Sequence, residues 1–239
     1  MIPLRDVLRS RTQPYIVYAI IALNAIVFIY ELGLGPMELS RFFFDFGVVP
    51  WKLTTPEAWG VLNPLEQLLP LLTSMFLHGG WLHIIGNLWI FYIFGDNVED
   101  RMGRLPFLMF FLLAGLFSVG LHVLTNWGSK IPTVGASGAI AGIMGAYLVY
   151  FPYARIVTFV PILLVVVVTI PAYVFLIVWF LLQFFNGAFA IFGGGAAAEG
   201  IAWWAHIGGF LFGVAAAKIF AKPTPRRPGL SPLAKRFFS

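Results

Sequence analysis

Apolar residues in this chain fall into six long runs, and that segmentation limits the fold more than any single motif does. A helix needs roughly 20 mostly apolar residues to cross about 30 Å of hydrocarbon. By that measure spans are expected near 14–32, 82–98, 105–125, 137–151, 157–185 and 202–220. Of the 239 residues 60% are hydrophobic and only 10% charged, against about 25% charged in an ordinary soluble domain. The expected fold class is an all-α polytopic membrane protein with six transmembrane helices, the fourth of them short. Residues 1–13 read as an N-terminal segment, 14–220 as the membrane domain with an outer loop at about 33–81, and 221–239 as a flexible basic tail. The absence of Cys excludes disulfides, thiolate catalysis and Cys-ligated metal.

Counted by alternate loops, Arg41, Lys52 and Lys130 fall on one side, and the other twelve of the 15 Lys and Arg fall on the opposite side. The positive-inside bias then predicts cytoplasmic termini; the chain is expected to be a multi-pass protein of the plasma (cell) membrane, with the polar residues of its spans gathered toward the outer side. Arg5, Arg9 and Arg11 imitate a signal-peptide n-region, but no small-residue cleavage site follows, so the first span reads as an uncleaved helix. Phe42, Phe43, Phe44, Phe46, Trp51 and Trp59 make the 33–81 loop interfacial and partly inserted. The Pro-rich basic tail is expected near anionic lipid headgroups. No internal repeat is evident, which lowers the case for a transporter.

The fourth span carries the chemistry. Its 15 residues from Ser137 to Phe151 make only about 22 Å of helix, and Pro152 discourages continuation. Its start must therefore stop below the membrane surface, where irregular backbone is tolerated only if buried in protein or lining a wet cavity. Ser137 is expected at the floor of that cavity, beside unpaired helix N–H groups. The bland alternative is a helix N-cap, since Ser is among the best caps. Ser137, Ala141 and Gly145, then Gly138, Gly142 and Ala146, form small-residue faces, repeated on the sixth span by Ala205, Gly209 and Gly213. Such faces let helix backbones approach closely. Packing them together places His206 beside Ser137, where an imidazole can take the hydroxyl proton and return it to a leaving amine.

On the second span His83 and Asn87 share a face, i and i+4, and as neutral donors can stabilise an oxyanion together with the Ser137 amide. Otherwise they join helices by hydrogen bonds. His78 reads as a brace for the outer rim, and His122 as structural or interfacial. A zinc site built from the four His lacks a His-Glu-x-x-His arrangement. No metal, cofactor or nucleic-acid partner is expected.

With these residues assembled, the chain resembles the rhomboid intramembrane serine proteases. The resemblance rests on four segments: His78-Gly79-Gly80-Trp81-Leu82-His83-Ile84-Ile85-Gly86-Asn87, Gly95-Asp96-Asn97-Val98-Glu99-Asp100-Arg101-Met102-Gly103, Gly135-Ala136-Ser137-Gly138 and Ala205-His206-Ile207-Gly208-Gly209. It implies a six-helix rhomboid-like bundle, a serine-type endopeptidase with a Ser137–His206 dyad and no third acid, and oxyanion contacts from His83, Asn87 and the Ser137 amide. The implied partners are membrane lipid and substrates that are themselves transmembrane helices; the oligomeric state stays open. A non-catalytic relative that binds transmembrane clients is the alternative. The chain departs from the family pattern at Leu68-Leu69-Pro70-Leu71-Leu72, where many members carry a Trp-Arg pair. Ala141 also stands where some members stack a Tyr on the imidazole, so the ring must be held otherwise.

No acid is expected beside His206, the nearest in sequence being Glu199, and slow turnover follows. The fifth span, with Pro161 and Pro171, and the Gly-rich stretch from Gly187 to Gly200 are read as a kinked gate and cap, or else as a bent helix fitted to the bundle.

Overall fold

The computed structural model describes residues 1–162, 164–192 and 202–223. A short strand, β1 (Ile2–Asp6), precedes the first long helix, α1 (Tyr15–Leu32). Prolines then set the rhythm of the next forty or so residues. Each of α2 (Pro36–Phe46), α3 (Pro50–Thr54), α4 (Pro56–Val61), α5 (Pro64–Leu68) and α6 (Pro70–Thr73) opens on a Pro, followed by a 3₁₀ turn at Ser74–Phe76. Proline suits a first helical position, where its missing N–H would go unbonded anyway. Asn63 and Glu66 cap α5 reciprocally, at 3.0 and 2.9 Å.

The bundle continues through α7 (Trp81–Met102), α8 (Arg104–Thr125) and α9 (Ser137–Tyr150), then α10 (Ala172–Phe192) and α11 (Trp203–Phe220). In its core the chain is an all-α polytopic membrane protein. Among the described residues, α1, α8, α10 and α11 are long and apolar enough to cross a membrane. The stretch Pro64–Phe76 and α7 pass the same test only together, as a pair bent by 75°, the geometry of a broken span or a re-entrant loop, and α9 is a shorter apolar helix. At 14 residues α9 measures about 21 Å. Phe91, Phe94, Phe107, Phe110, Phe111 and Tyr147 are buried together where α7, α8 and α9 meet.

One expectation is corrected here. The run 157–185 is not one kinked helix. Arg155–Ile162 (β2) and Leu164–Pro171 (β3) pair as antiparallel strands, with β1 added on the far edge of β2. The physical reason is side-chain shape: Ile156, Val157, Thr158, Val160, the run Val165–Val168, Thr169 and Ile170 are β-branched, and such side chains favour strands. Pro161 lies in β2 and Pro171 ends β3, so neither bends α10. The proposed cap falls mostly outside the described residues, as does Glu199. Within the N-terminal segment, Ile2–Asp6 supply an edge strand of this sheet.

The acidic end of α7 fastens that strand and the start of α1. Glu99 accepts from the amides of Val17 at 2.9 Å and Ile16 at 3.2 Å, placing a carboxylate at the positive end of α1. Asp100 accepts from the Thr12 hydroxyl at 2.6 Å. Asp6 in turn accepts from the Tyr147 hydroxyl at 2.7 Å and the Asn97 amide at 2.9 Å. After α11, Lys222 is also tied down, its backbone amide donating to the Arg101 carbonyl at 3.0 Å; the rest of the basic tail, from residue 224, lies outside the described residues.

Burial pushes the Asp6 carboxyl up from 3.8 to about 6, against the lowering effect of its Tyr147 bond. A carboxyl whose folded pKa is raised binds its proton more tightly in the folded state. Its contribution to strand docking is therefore fully present below about 4 and lost as pH rises through about 6. Amide protection of β1, corrected for intrinsic exchange, is expected to increase from pH 7 to pH 5, and Asp6→Asn to flatten the change. Equal protection at both pH values would contradict this.

Candidate active site

Small residues bring α9 and α11 into backbone contact. A side chain added at Gly209 would collide with the Gly138 carbonyl, one at Gly213 with that of Gly142, and one at Gly145 with that of Phe210. With no side chains between the helices, the residues at their starts are held at one level. Ser137 Oγ lies 2.8 Å from His206 Nε2. Ala136 is the N-cap of α9 and Ser137 its first residue, and no side-chain cap is formed, so the hydroxyl is engaged by the imidazole and not by helix capping. The first helical bond of α9 is donated by Ile140 to Ala136, so the helix itself does not use the amides of residues 137–139.

The hydroxyl and the imidazole line a cavity of about 900 Å³ at the end of the bundle remote from Arg101, Arg104 and Lys222. The wall opposite comes from α7. Gly79 donates to His83 Nδ1 at 3.4 Å, which leaves Nε2 to carry the ring hydrogen. Asn87 Nδ2 is buried without a hydrogen-bond partner. Both groups face Gly135, two residues before Ser137: a Cβ there would lie 2.6 Å from His83 Nε2 and 3.6 Å from Asn87 Nδ2. Gly135 also has φ +127°, a conformation glycine adopts without strain. Two N–H donors thus converge on a small space beside the Ser137 hydroxyl. Leaving a buried amide donor unpaired costs about 1–3 kcal/mol, a cost recovered only when something accepts from it.

His122 is buried and braces the loop before α9, its Nε2 at 2.7 Å from Thr133 Oγ1. His78 braces through its backbone instead of its ring: its amide donates to Glu31 at 3.2 Å, while both ring nitrogens lie buried without partners. Glu31 is an acid buried at the end of α1, and it is engaged by His78, not by His206. Among the described residues no group of three His, Asp or Glu is placed to hold a metal.

The residue most plainly missed is Gln183 on α10. Its Oε1 lies 2.8 Å from His206 Nδ1, so the imidazole is bonded at both nitrogens. Trp179, one turn earlier, packs its ring 6.0 Å from the imidazole at 36°, and Trp203 approaches edge-on at 6.4 Å. These contacts hold the ring where Ala141 cannot. A signal was present in the sequence: Gln183 is the single side-chain amide in 157–185, and polar groups at membrane depth are costly enough to need a reason.

The Rhomboid domain matches residues 65–223, from the bent entry to α7 through the end of α11. The chain belongs to the rhomboid family. Among its relatives are the presenilin-associated rhomboid-like protein, mitochondrial, of Bos taurus, 27% identical over 132 residues, which are 53% of this chain and 35% of the relative. The RHOMBOID-like protein 6, mitochondrial, of Arabidopsis thaliana is 37% identical over 78 residues, 33% of this chain and 25% of the relative. Rhomboid protein 1, mitochondrial, of Saccharomyces cerevisiae is 28% identical over 163 residues, 63% of this chain and 41% of the relative. The chain therefore spans well under half the length of these three relatives.

Their names overturn the expectation of a plasma-membrane protein with cytoplasmic termini, since these rhomboids are mitochondrial. The physical reason for the error is that Lys/Arg asymmetry reports which loops share a side of the bilayer, not which bilayer it is. The multi-pass membrane character stands.

Proposed function

We propose that this rhomboid is an intramembrane serine endopeptidase that hydrolyses peptide bonds in or near transmembrane helices of membrane-protein substrates. The observation that carries the reading is the 2.8 Å contact between Ser137 Oγ and His206 Nε2 at the wall of a cavity. Ser137 Oγ adds to the scissile carbonyl carbon as its proton passes to His206 Nε2. The oxyanion accepts hydrogen bonds from the Ser137 amide, His83 Nε2–H and Asn87 Nδ2–H. Collapse breaks the C–N bond, the imidazolium gives its proton to the leaving amine, and water entering through the cavity hydrolyses the acyl-enzyme by the same route.

Substrate bonds within an intact helix are shielded by their own hydrogen bonding, so cleavage is expected where a helix frays, near Gly, Pro or polar residues. The decisive test incubates the purified protein in detergent with a tagged single-span reporter and, separately, a fluorophosphonate probe. Labelling at Ser137 with reporter cleavage supports the reading. Reporter binding without either reaction would leave a non-catalytic client binder.

The oxyanion donors give a separate expectation. Removing one such donor typically costs on the order of 10²- to 10³-fold in kcat. Asn87→Ala is expected to fall in that range with little change in KM. A variant as fast as the wild type would remove Asn87 from the reaction and leave its buried amide unexplained.

A further inference from the structure

Gln183 is 7% exposed and aimed at the dyad from a helix that contributes neither reacting group. An amide oxygen can only accept. With Oε1 at 2.8 Å from His206 Nδ1, the ring hydrogen is kept on Nδ1, and the lone pair on Nε2 faces the Ser137 hydroxyl at 2.8 Å. The opposite tautomer would point an N–H at the serine and could not take its proton. In a triad this task falls to a carboxylate. A neutral amide does it at membrane depth with a much smaller desolvation cost.

We infer that Gln183 is the positioning residue of this dyad, fixing the tautomer and edge of His206 from α10. This rests on the proteolytic reading above. Trp179, four residues earlier on the same face of α10, lies against the ring and also lines the cavity. One helix therefore supplies both the support of the base and part of the substrate's wall, so displacing α10 would disarm the base as it widens the cavity. The other titratable groups on the cavity lining are His83 of α7 and His122 of α8; the lining described holds no carboxylate, Lys or Arg. A carboxylate introduced at 183 would thus meet no competing charge there.

The test compares the full-length wild type, Gln183→Leu and Gln183→Glu, with Ser137→Ala as the blank. It measures the rate of fluorophosphonate labelling at Ser137 and reporter kcat and KM across pH. Gln183→Leu is expected to lower the labelling rate and kcat by on the order of 10²-fold, less than the ~10⁴-fold loss seen when a triad holds the wrong tautomer, with KM nearly unchanged. Gln183→Glu should stay within about tenfold of the wild type and move the acid limb of its pH profile up by about one unit or more, because the anion favours the imidazolium. Wild-type rates in Gln183→Leu would overturn the inference. So would equal losses in both variants with an unmoved acid limb, the signature of packing alone. A wild type that neither labels nor cleaves would fail the proteolytic reading itself, and the inference with it; a reactive wild type with an indifferent position 183 would fail the inference only.

Discussion

Ser137→Ala and His206→Ala are each expected to lower reporter cleavage by on the order of 10⁴- to 10⁶-fold, with the double variant falling no further, because nucleophile and base act as one unit. The non-additivity is the informative part. If His206 merely held α11 against α9, its loss would add to that of Ser137, and the double variant would be worse than either. The Ser137 variant loses one hydroxyl at the first residue of α9, where no cap is formed, so it should fold and melt like the wild type. A melting curve in detergent checks this before any rate is compared. Residual cleavage within tenfold of the wild type in either single variant would end the proteolytic reading.

Gly209→Val should be nearly as damaging for an entirely different reason. Its side chain has nowhere to go but into the Gly138 carbonyl, one residue beyond Ser137, so α11 must move away from α9. Displacing a reacting group by about 1 Å can cost on the order of 10²-fold, and overpacking typically costs a further 1–3 kcal/mol or so of stability. Expected are a lowered melting temperature and loss of fluorophosphonate labelling together. Gly120→Ala on α8 is the matched control, since nothing lies within 4 Å of an added Cβ there. It should melt no lower than the wild type and react at the same rate. A Gly209→Val protein with wild-type labelling would mean that the close approach of the two helices does not set the dyad.

Much of this arrangement is readable from residue spacing. Small residues four apart at Gly138, Gly142, Ala205, Gly209 and Gly213 dictate which helices touch, and that contact places His206 against Ser137. The shortness of α9 follows from Pro152 just as directly. Hydropathy fails at 155–171 because it scores a Val the same in a strand as in a helix, whereas β-branching separates the two. Gln183 escaped because a single amide makes no pattern; the cost of an amide in an apolar run marks it as unusual, and its placement across from His206 shows what it bonds. Glu31 is not legible for a different reason: it lies 47 residues before His78, and only the packing of α1 brings the two together.

The pairing of β1 with β2 sets a timetable for synthesis. Ile2 and Asp6 leave the ribosome some 150 residues before their partners Phe159 and Ile156. At about 5–20 residues per second, β1 waits roughly 8–30 s, through the emergence of α1, α7, α8 and α9, before its partner strand exists. Closing the sheet is thus among the late steps of maturation, and until then Tyr147 and Asn97 stand without their carboxylate.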